Sequence, residues 1–365
     1  MDAQPIHSLH IIGSKELGGA ESFFIRLVTS LSNAGHPVDV ICRPNSGVFN
    51  ALKESKVNLH PVSMRSVFCP FSKRQIQQLI KTIKPEVVQT YMGRATRLTR
   101  IPKGLESKLI ARIGGYYKLE GYQHADCWVG NTKQLRQYLI DCKLPASCCH
   151  YIPNFVGRQR QLPPQVAKPA AIAELSADDL VVLGLGRQVP KKGFDSLINA
   201  FAKLPETIND RALKLVLLGD GWGRQPLVEL VANLKLEERI LMPGWQTNVW
   251  PWFERAELFV CPSRHEPLGN VILEAWAAGK AVISTANDGA NELIEDGKTG
   301  LIVSLDNTEE ELKESLLALL QNAEKRQQLA RAGQQQIEEE FCEHSVREQY
   351  LDLYRSCINK SPKTP

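Results

Sequence analysis

The most constraining feature of this 365-residue chain is a rhythm that occurs twice. Short apolar runs alternate with longer stretches whose apolar residues recur every three or four positions. In the first half, residues 9–14 (LHIIGS), 37–44 (PVDVICRP), 86–92 (EVVQTYM), 109–117 (LIARIGGYY) and 127–132 (CWVGNT) read as strands. Residues 18–35 read as a helix, with Phe23, Phe24, Leu27, Val28 and Leu31 at helical spacing, and residues 73–85 as another, with Ile76, Leu79, Ile80 and Ile83 on one face. Strand, helix, strand in this order predicts βαβ units and a parallel sheet. Residues 153–179 hold four prolines and little periodicity, which marks a linker. The rhythm then restarts. Strands are predicted at 180–187, 213–221, 239–244, 257–263, 281–285 and 300–303, and helices at 194–204, 224–234 and 270–279. The tail, 309–358, reads as helical, and its segment 345–358 is amphipathic. The expectation is an α/β chain of two doubly wound Rossmann-like domains, 1–160 and 175–340. Such sheets bind ligands at the carboxyl ends of their strands, and two facing domains place a cleft between them.

Length by itself also suggests two domains. No stretch approaches the ~20 apolar residues of a membrane span. The first fourteen residues carry an early acid and a short apolar run, unlike a secretory signal. Nine cysteines without zinc-ligand spacing read as reduced cytosolic thiols and small core fillers. The net charge of +4 is unevenly spread: residues 1–150 hold 20 Lys and Arg against 10 Asp and Glu, the remainder 24 against 30. Such an asymmetry suggests that the first half meets something anionic: a charged acceptor, a membrane surface or nucleic acid. Nucleic acid fits less well, since no aromatic interleaving or recognised module is present.

Three stretches could carry chemistry. In SKELGGAES (14–22), Gly18 and Gly19 sit between a strand end and a helix start, where free N–H groups can cradle a phosphate. A glycine pair there is also an ordinary turn, and neither a P-loop nor a GxGxxG pattern follows. In GLGRQVPKKGFDSLINAF (184–201), Arg187 ends a strand and Lys191 and Lys192 precede a helix, a placement suited to a diphosphate or to a solvated basic loop. In SRHEPLGNVILEAWAAG (263–279), Glu266 lies at a strand end and Glu274 in the second turn of the next helix. Carboxylates so placed can hold two sets of vicinal hydroxyls, and the amides of Leu268, Gly269 and Asn270 point into the same space. The plainer alternative is a helix-dipole acid plus a surface glutamate.

Taken in order, GRQVPKKGFDSLINAF, LVLLGDG, MPGWQTNVWPWFERAELFVCPSRHEPLGNVILEAWAAGKAVIST and NELIEDGKTGLIV resemble the retaining GT-B glycosyltransferases of family 4, the group 1 glycosyl transferases. The resemblance is strongest over about 180–305; the first domain matches through GGAES and its general rhythm. It implies that Glu266 holds donor-sugar hydroxyls and Glu274 the ribose, and that Arg187 and Lys192 neutralise the donor diphosphate. It implies that Gly18 and Gly19 close on the phosphates, and that the Leu268, Gly269 and Asn270 amides touch the sugar or distal phosphate. The base would lie near Gly244 and Trp245, with Trp222 as a wall, and a helix at 345–362 would return to the first domain. No Asp-x-Asp motif stands at a suitable site, so the two cations would replace a metal; no metal or other cofactor is expected, the nucleotide sugar (UDP-, GDP- or ADP-) being a co-substrate.

Two departures stand out. Many relatives have Gly-Phe-Gly after the first acid, where this chain has Pro267-Leu268-Gly269, and proline offers no N–H. Many carry a histidine after the first-domain strand, where this chain has Tyr91 or Met92. Arg94, Arg97, Arg100 and Lys103 recur every three residues on the acceptor side, which fits an anionic, membrane-borne acceptor such as a lipopolysaccharide core or lipid-linked glycan. The leading expectation is a glycosyltransferase of surface polysaccharide synthesis, cytoplasmic and peripheral to the inner membrane. The alternatives are a nucleotide-sugar epimerase of the same fold and a catalytically silent nucleotide-sugar binder; a phosphorylase is disfavoured by the lack of a pyridoxal-lysine motif.

Overall fold

The computed structural model describes residues 4–156 and 170–359. The chain divides into two compact units, Met1–Gly157 with Cys342–Pro365, and Arg158–Phe341. In the first unit, strands β1 (Ser8–Ile12), β2 (Val38–Cys42), β3 (Asn58–Pro61), β4 (Val87–Tyr91), β5 (Lys108–Ile113), β6 (Cys127–Gly130) and β7 (Cys149–Tyr151) pair in the order β3-β2-β1-β4-β5-β6-β7. Every pairing is parallel. Helices α1 (Gly19–Asn33), α2 (Gly47–Leu52), α3 (Pro70–Ile83), α4 (Met92–Leu98) and α5 (Lys133–Asp141) connect them.

The strands read as nearly continuous apolar runs because both faces of the sheet are covered. Leu9 and Ile11 of β1 enter one core, with Ile76 and Ile80 of α3. Ile12 enters the other, with Phe23, Phe24, Leu27, Val28 and Leu31 of α1, the face read from the sequence.

The second unit holds β8 (Leu180–Leu185), β9 (Thr207–Ile208), β10 (Arg211–Leu218), β11 (Ile240–Gly244), β12 (Leu258–Cys261), β13 (Ala281–Thr285) and β14 (Leu301–Val303). Its sheet runs β11-β10-β8-β12-β13-β14, with β9 pairing antiparallel to β10. Helices α6 (Phe194–Ala202), α7 (Arg224–Asn233), α8 (Trp250–Arg255), α9 (Asn270–Ala277), α10 (Asp288–Leu293), α11 (Thr308–Gln321) and α12 (Ala323–Glu339) complete it. The last helix, α13 (Glu343–Asn359), packs Val346, Tyr350, Leu351, Leu353, Tyr354 and Cys357 into the core of the first unit. The returning helix expected at 345–362 thus starts slightly earlier, and its residues 360–362 lie outside the described residues.

Several sequence readings need correction. The strand expected at 109–117 stops at Ile113, before Gly114-Gly115, and the one expected at 213–221 stops at Leu218, before the Gly219-Asp220-Gly221 turn. The short elements β3, β7, α2, α4 and α5 were not expected; each is too brief or too polar to show a period. The linker expected at 153–179 is shorter than its prolines suggest: Asn154 and Phe155 are buried in the first unit and Leu175 is also buried, while residues 157–169 lie outside the described residues. All nine cysteines are free thiols. Among the described residues, no helix is long and apolar enough to cross a membrane.

Candidate functional site

An open parallel sheet leaves a crevice where the chain order reverses direction. In the second sheet that point lies between β8 and β12. The chain runs one way from β8 through β10 to β11, and the other way from β12 through β13 to β14. The loop after β8 carries Arg187 and Lys192, and the loop after β12 carries Glu266. They meet: the Lys192 ammonium ion-pairs with the Glu266 carboxylate, both half-buried. The Lys192 stem lies along Gly186, where an added Cβ would stand 3.6 Å from its Cδ and Cε. Arg187 is exposed at the adjoining strand end.

The two loops are locked by residues that the sequence did not single out. Arg264 grips both Asp195 carboxylate oxygens at 2.8 and 2.7 Å, and donates to Pro190 O at 2.7 Å and Ser196 Oγ at 2.9 Å. Burial pushes the Asp195 carboxyl upward, but the guanidinium outweighs it and holds the pKa below its ordinary value. The Arg264 N–H donates to Lys191 O at 2.9 Å. Gly193 has φ +66°, and a Cβ there would fall 1.9 Å from Pro262 O, so the loops can approach only through glycine. On the other side, the Gly289 N–H donates to Glu266 O at 2.8 Å, and a Cβ on Gly289 would fall 2.4 Å from the Leu268 carbonyl carbon. Asn287 caps α10 through Ala290 N and donates to Ser263 O at 3.0 Å. Only an arginine after a strand and a glycine near a helix start were visible in sequence; neither shows its partner.

Gly269 takes φ +78° as the N-cap of α9, and Leu268 is buried beside it. Asn270 begins the helix. Glu274 lies four residues on, so both share a face, and the backward tilt of helical side chains directs Glu274 toward the strand ends. A helix that follows a parallel strand opens its N-terminus at the carboxyl edge of the sheet, the natural place for an anion. At the neighbouring strand ends, the Gly219 N–H donates to Gly244 O at 2.9 Å. Trp222 and Trp245 follow these ends, 78% and 65% exposed. Flat aromatic faces in water at a ligand edge are suited to stacking.

The first unit has its own reversal point, between β1 and β4. Gly18 caps α1 and Gly19 begins it; both lie at the surface on the carboxyl side of β1. At the end of β4, Tyr91 turns into the core, where its hydroxyl accepts from Gln89 Nε2 at 2.7 Å and lies 3.0 Å from His10 Nδ1. Burial raises its pKa well above the phenol range. Met92 takes φ +61°, an unusual backbone for a residue with a side chain, of the kind found at functional sites. The basic residues 94–103 do not form one exposed stripe. Arg94 folds over Gly13 and donates to its carbonyl at 3.1 Å; Arg100 donates to Thr99 O at 2.7 Å and to Arg97 O at 3.2 Å. Arg97 and Lys103 are exposed. The threefold spacing fails because α4 ends at Leu98, so the residues beyond follow a different path.

Residues 17–160 match the model of the family described as Glycosyltransferase Family 4, and residues 169–336 that of the Glycosyl transferases group 1. The chain is 32% identical over 344 residues to the lipopolysaccharide core biosynthesis glycosyltransferase LpsE of Rhizobium meliloti, covering 93% of this chain and 96% of that protein. It is 30% identical over 345 residues to LpsD of the same organism, covering 94% and 96%. The crystal structure of Anabaena HepE with UDP and glucose superposes with a TM-score of 0.80 at 18% identity, over 96% of this chain and all of that one, which speaks to the fold. Two Rossmann-like domains, a charged pair held at the reversal point of the second sheet, and identity running nearly end to end together make the chain a GT-B glycosyltransferase of family 4.

Proposed function

We propose that the enzyme transfers a hexose-type sugar, with retention at the anomeric carbon, from a nucleoside diphosphate sugar to an anionic glycan or glycolipid of lipopolysaccharide or other surface polysaccharide. The observation that carries this reading is the Lys192–Glu266 pair at the reversal point of the second sheet, with the exposed Arg187 on the same loop as Lys192. The donor class is supported by the UDP and glucose bound in the HepE crystal, and the pathway by the names of LpsE and LpsD.

The chemistry follows from charge. Breaking the glycosidic bond of such a donor leaves negative charge on the departing diphosphate. Preorganised cations stabilise that charge without reorganising during the step. Arg187 offers a bidentate fork for one phosphate and Lys192 a point charge for the other. Glu266 keeps the ammonium in place and accepts hydrogen bonds from sugar hydroxyls, and Glu274 accepts from the ribose. The amides at Leu268, Gly269 and Asn270 contact the sugar or distal phosphate, and Trp245 stacks on the base. Gly18 and Gly19 form the corresponding anion-binding turn of the first unit. The two cations supply the stabilisation a divalent ion gives elsewhere, so turnover proceeds in EDTA. Arg97 and Lys103 belong to the acceptor or membrane side, together with the more internal Arg94 and Arg100, and the enzyme works on the cytoplasmic face of the membrane.

The test is a screen of UDP-, GDP- and ADP-sugars in EDTA, with wild type beside Glu266→Ala. Turnover of one donor without metal, lost in the variant, supports the reading and identifies the sugar. An absolute metal requirement, or full activity in the variant, defeats the site assignment.

A further inference from the structure

The most exposed large apolar side chains of the described residues are Phe68 and Phe71, 85% and 82% exposed. They bracket the start of α3 in the first unit, and nothing in the glycosyl-transfer site uses them. Two water-exposed phenylalanines three residues apart in the chain are a standing liability unless something covers them. The helix they lead into is built in two faces. Ser72, Ile76 and Ile80 are buried, four residues apart, against the sheet. Phe71, Arg74, Gln78 and Lys81 share the opposite, exposed face.

The surroundings say what kind of surface covers them. Residues 55–105 contain ten Lys and Arg and a single acid, Glu86. A cleft of about 450 Å³ opens beside Phe68, lined by Lys73, Arg97 and Arg100 against a single acid, Glu120. An apolar tip ringed by cations matches the boundary layer of an anionic bilayer, where aromatic groups enter the acyl edge and cations meet phosphates. A protein partner would have to supply both an apolar socket and an acidic collar.

We propose that Phe68 and Phe71 form a wedge that inserts into an anionic lipid surface, with Lys73, Arg74 and Arg97 holding headgroup phosphates around it. This rests on the proposed membrane-side acceptor but not on the donor chemistry. Burying one phenylalanine changes a partition constant by about tenfold to a hundredfold, and each basic residue near an anionic surface by about fivefold.

The experiment is co-sedimentation of the full chain with phosphatidylcholine vesicles, with and without phosphatidylglycerol, for wild type, Phe68→Ser/Phe71→Ser and Lys73→Glu/Arg74→Glu. All four side chains are exposed, so the variants retain the fold. Donor hydrolysis is measured in parallel without vesicles. Wild type is expected to bind only the anionic vesicles, more weakly in high salt. The phenylalanine variant loses at least about thirtyfold and the charge-reversed variant at least about tenfold, with donor hydrolysis unchanged in both. Wild type that ignores the vesicles, or a phenylalanine variant that binds like wild type, overturns the proposal. So does a self-association that the phenylalanine variant abolishes without any vesicle binding, which would assign the patch to a second copy of the chain. Vesicle binding in this pattern without turnover of any donor would leave the wedge standing and remove the transfer reading.

Discussion

The two sheets share one strand order over six parallel strands but use their polar residues in opposite ways. At the reversal point of the second sheet, the half-buried Lys192 and Glu266 pair on loops clamped by Arg264 and Gly289. In the first sheet, fully buried polar side chains turn inward and satisfy one another. Arg112 donates to Tyr350 Oη at 2.9 Å and to Asn154 Oδ1, and lies 4.1 Å from the Phe23 ring centre. Tyr354 Oη donates to Gln89 Oε1 at 2.7 Å, and Gln89 donates to Tyr91, which touches His10. Tyr350 and Tyr354 belong to α13. The inner network therefore fastens the last helix to a sheet more than two hundred residues away, whereas the outer pair joins two loops of one unit at its strand ends. A fully buried polar network must satisfy its own members, while a pair that keeps some exposure can exchange its partner for another polar group.

That contrast can be tested by moving stability and activity separately. The largest stability loss is expected for Arg112→Leu, which removes the buried guanidinium that donates to Tyr350 and Asn154. The cost is about 3–5 kcal/mol in urea unfolding. A midpoint within error of wild type would mean that the network contributes little. Lys192→Ala should do the reverse: turnover falls by about a hundredfold to a thousandfold, with an unfolding midpoint that shifts far less than in Arg112→Leu. Equal losses in both measurements would erase the distinction between the two sheets.

Acid provides a third probe. Burial lowers the His10 pKa from 6.5 to about 3. Between those values the unfolded chain binds a proton that the folded chain refuses. The contribution of His10 is therefore complete above pH 6.5 and is lost as the pH falls toward 3, amounting to about 3 kcal/mol at pH 4. His10→Asn should be less stable at neutral pH but lose less on acidification, read from unfolding midpoints at pH 7 and 4. Parallel slopes would exclude His10 as a source of acid sensitivity. The smallest effect is expected at the second sheet's rim, where Trp245→Ala removes a stacking face worth about 1–2 kcal/mol. That is a rise in donor KM of roughly five- to thirtyfold with kcat preserved, measured by initial rates; a fall in kcat alone would move Trp245 away from the base.

Much of this was legible in the sequence because it repeats locally. The period of α1 placed Phe23 through Leu31 correctly, and GRQVPKKGF and SRHEPLGN announced a strand end followed by a helix start. The packing of Gly193 on Pro262 and of Gly289 on Leu268 was not legible, since a glycine's need for space depends on backbone distant in the chain. The basic run at 91–104 misled for a related reason: equal spacing says nothing about facing once a seven-residue helix ends partway through it.

The sequence by itself determined the two parallel sheets, the family and the residue types at the second sheet's strand ends, because βαβ rhythm and motif order are properties of neighbours along the chain. The tertiary structure decided that Lys192 meets Glu266, that Tyr91 belongs to the core, and that α13 is tied to Arg112 and Gln89. Each of these depends on which strands lie side by side, and in both sheets the strand order departs from the order of the chain.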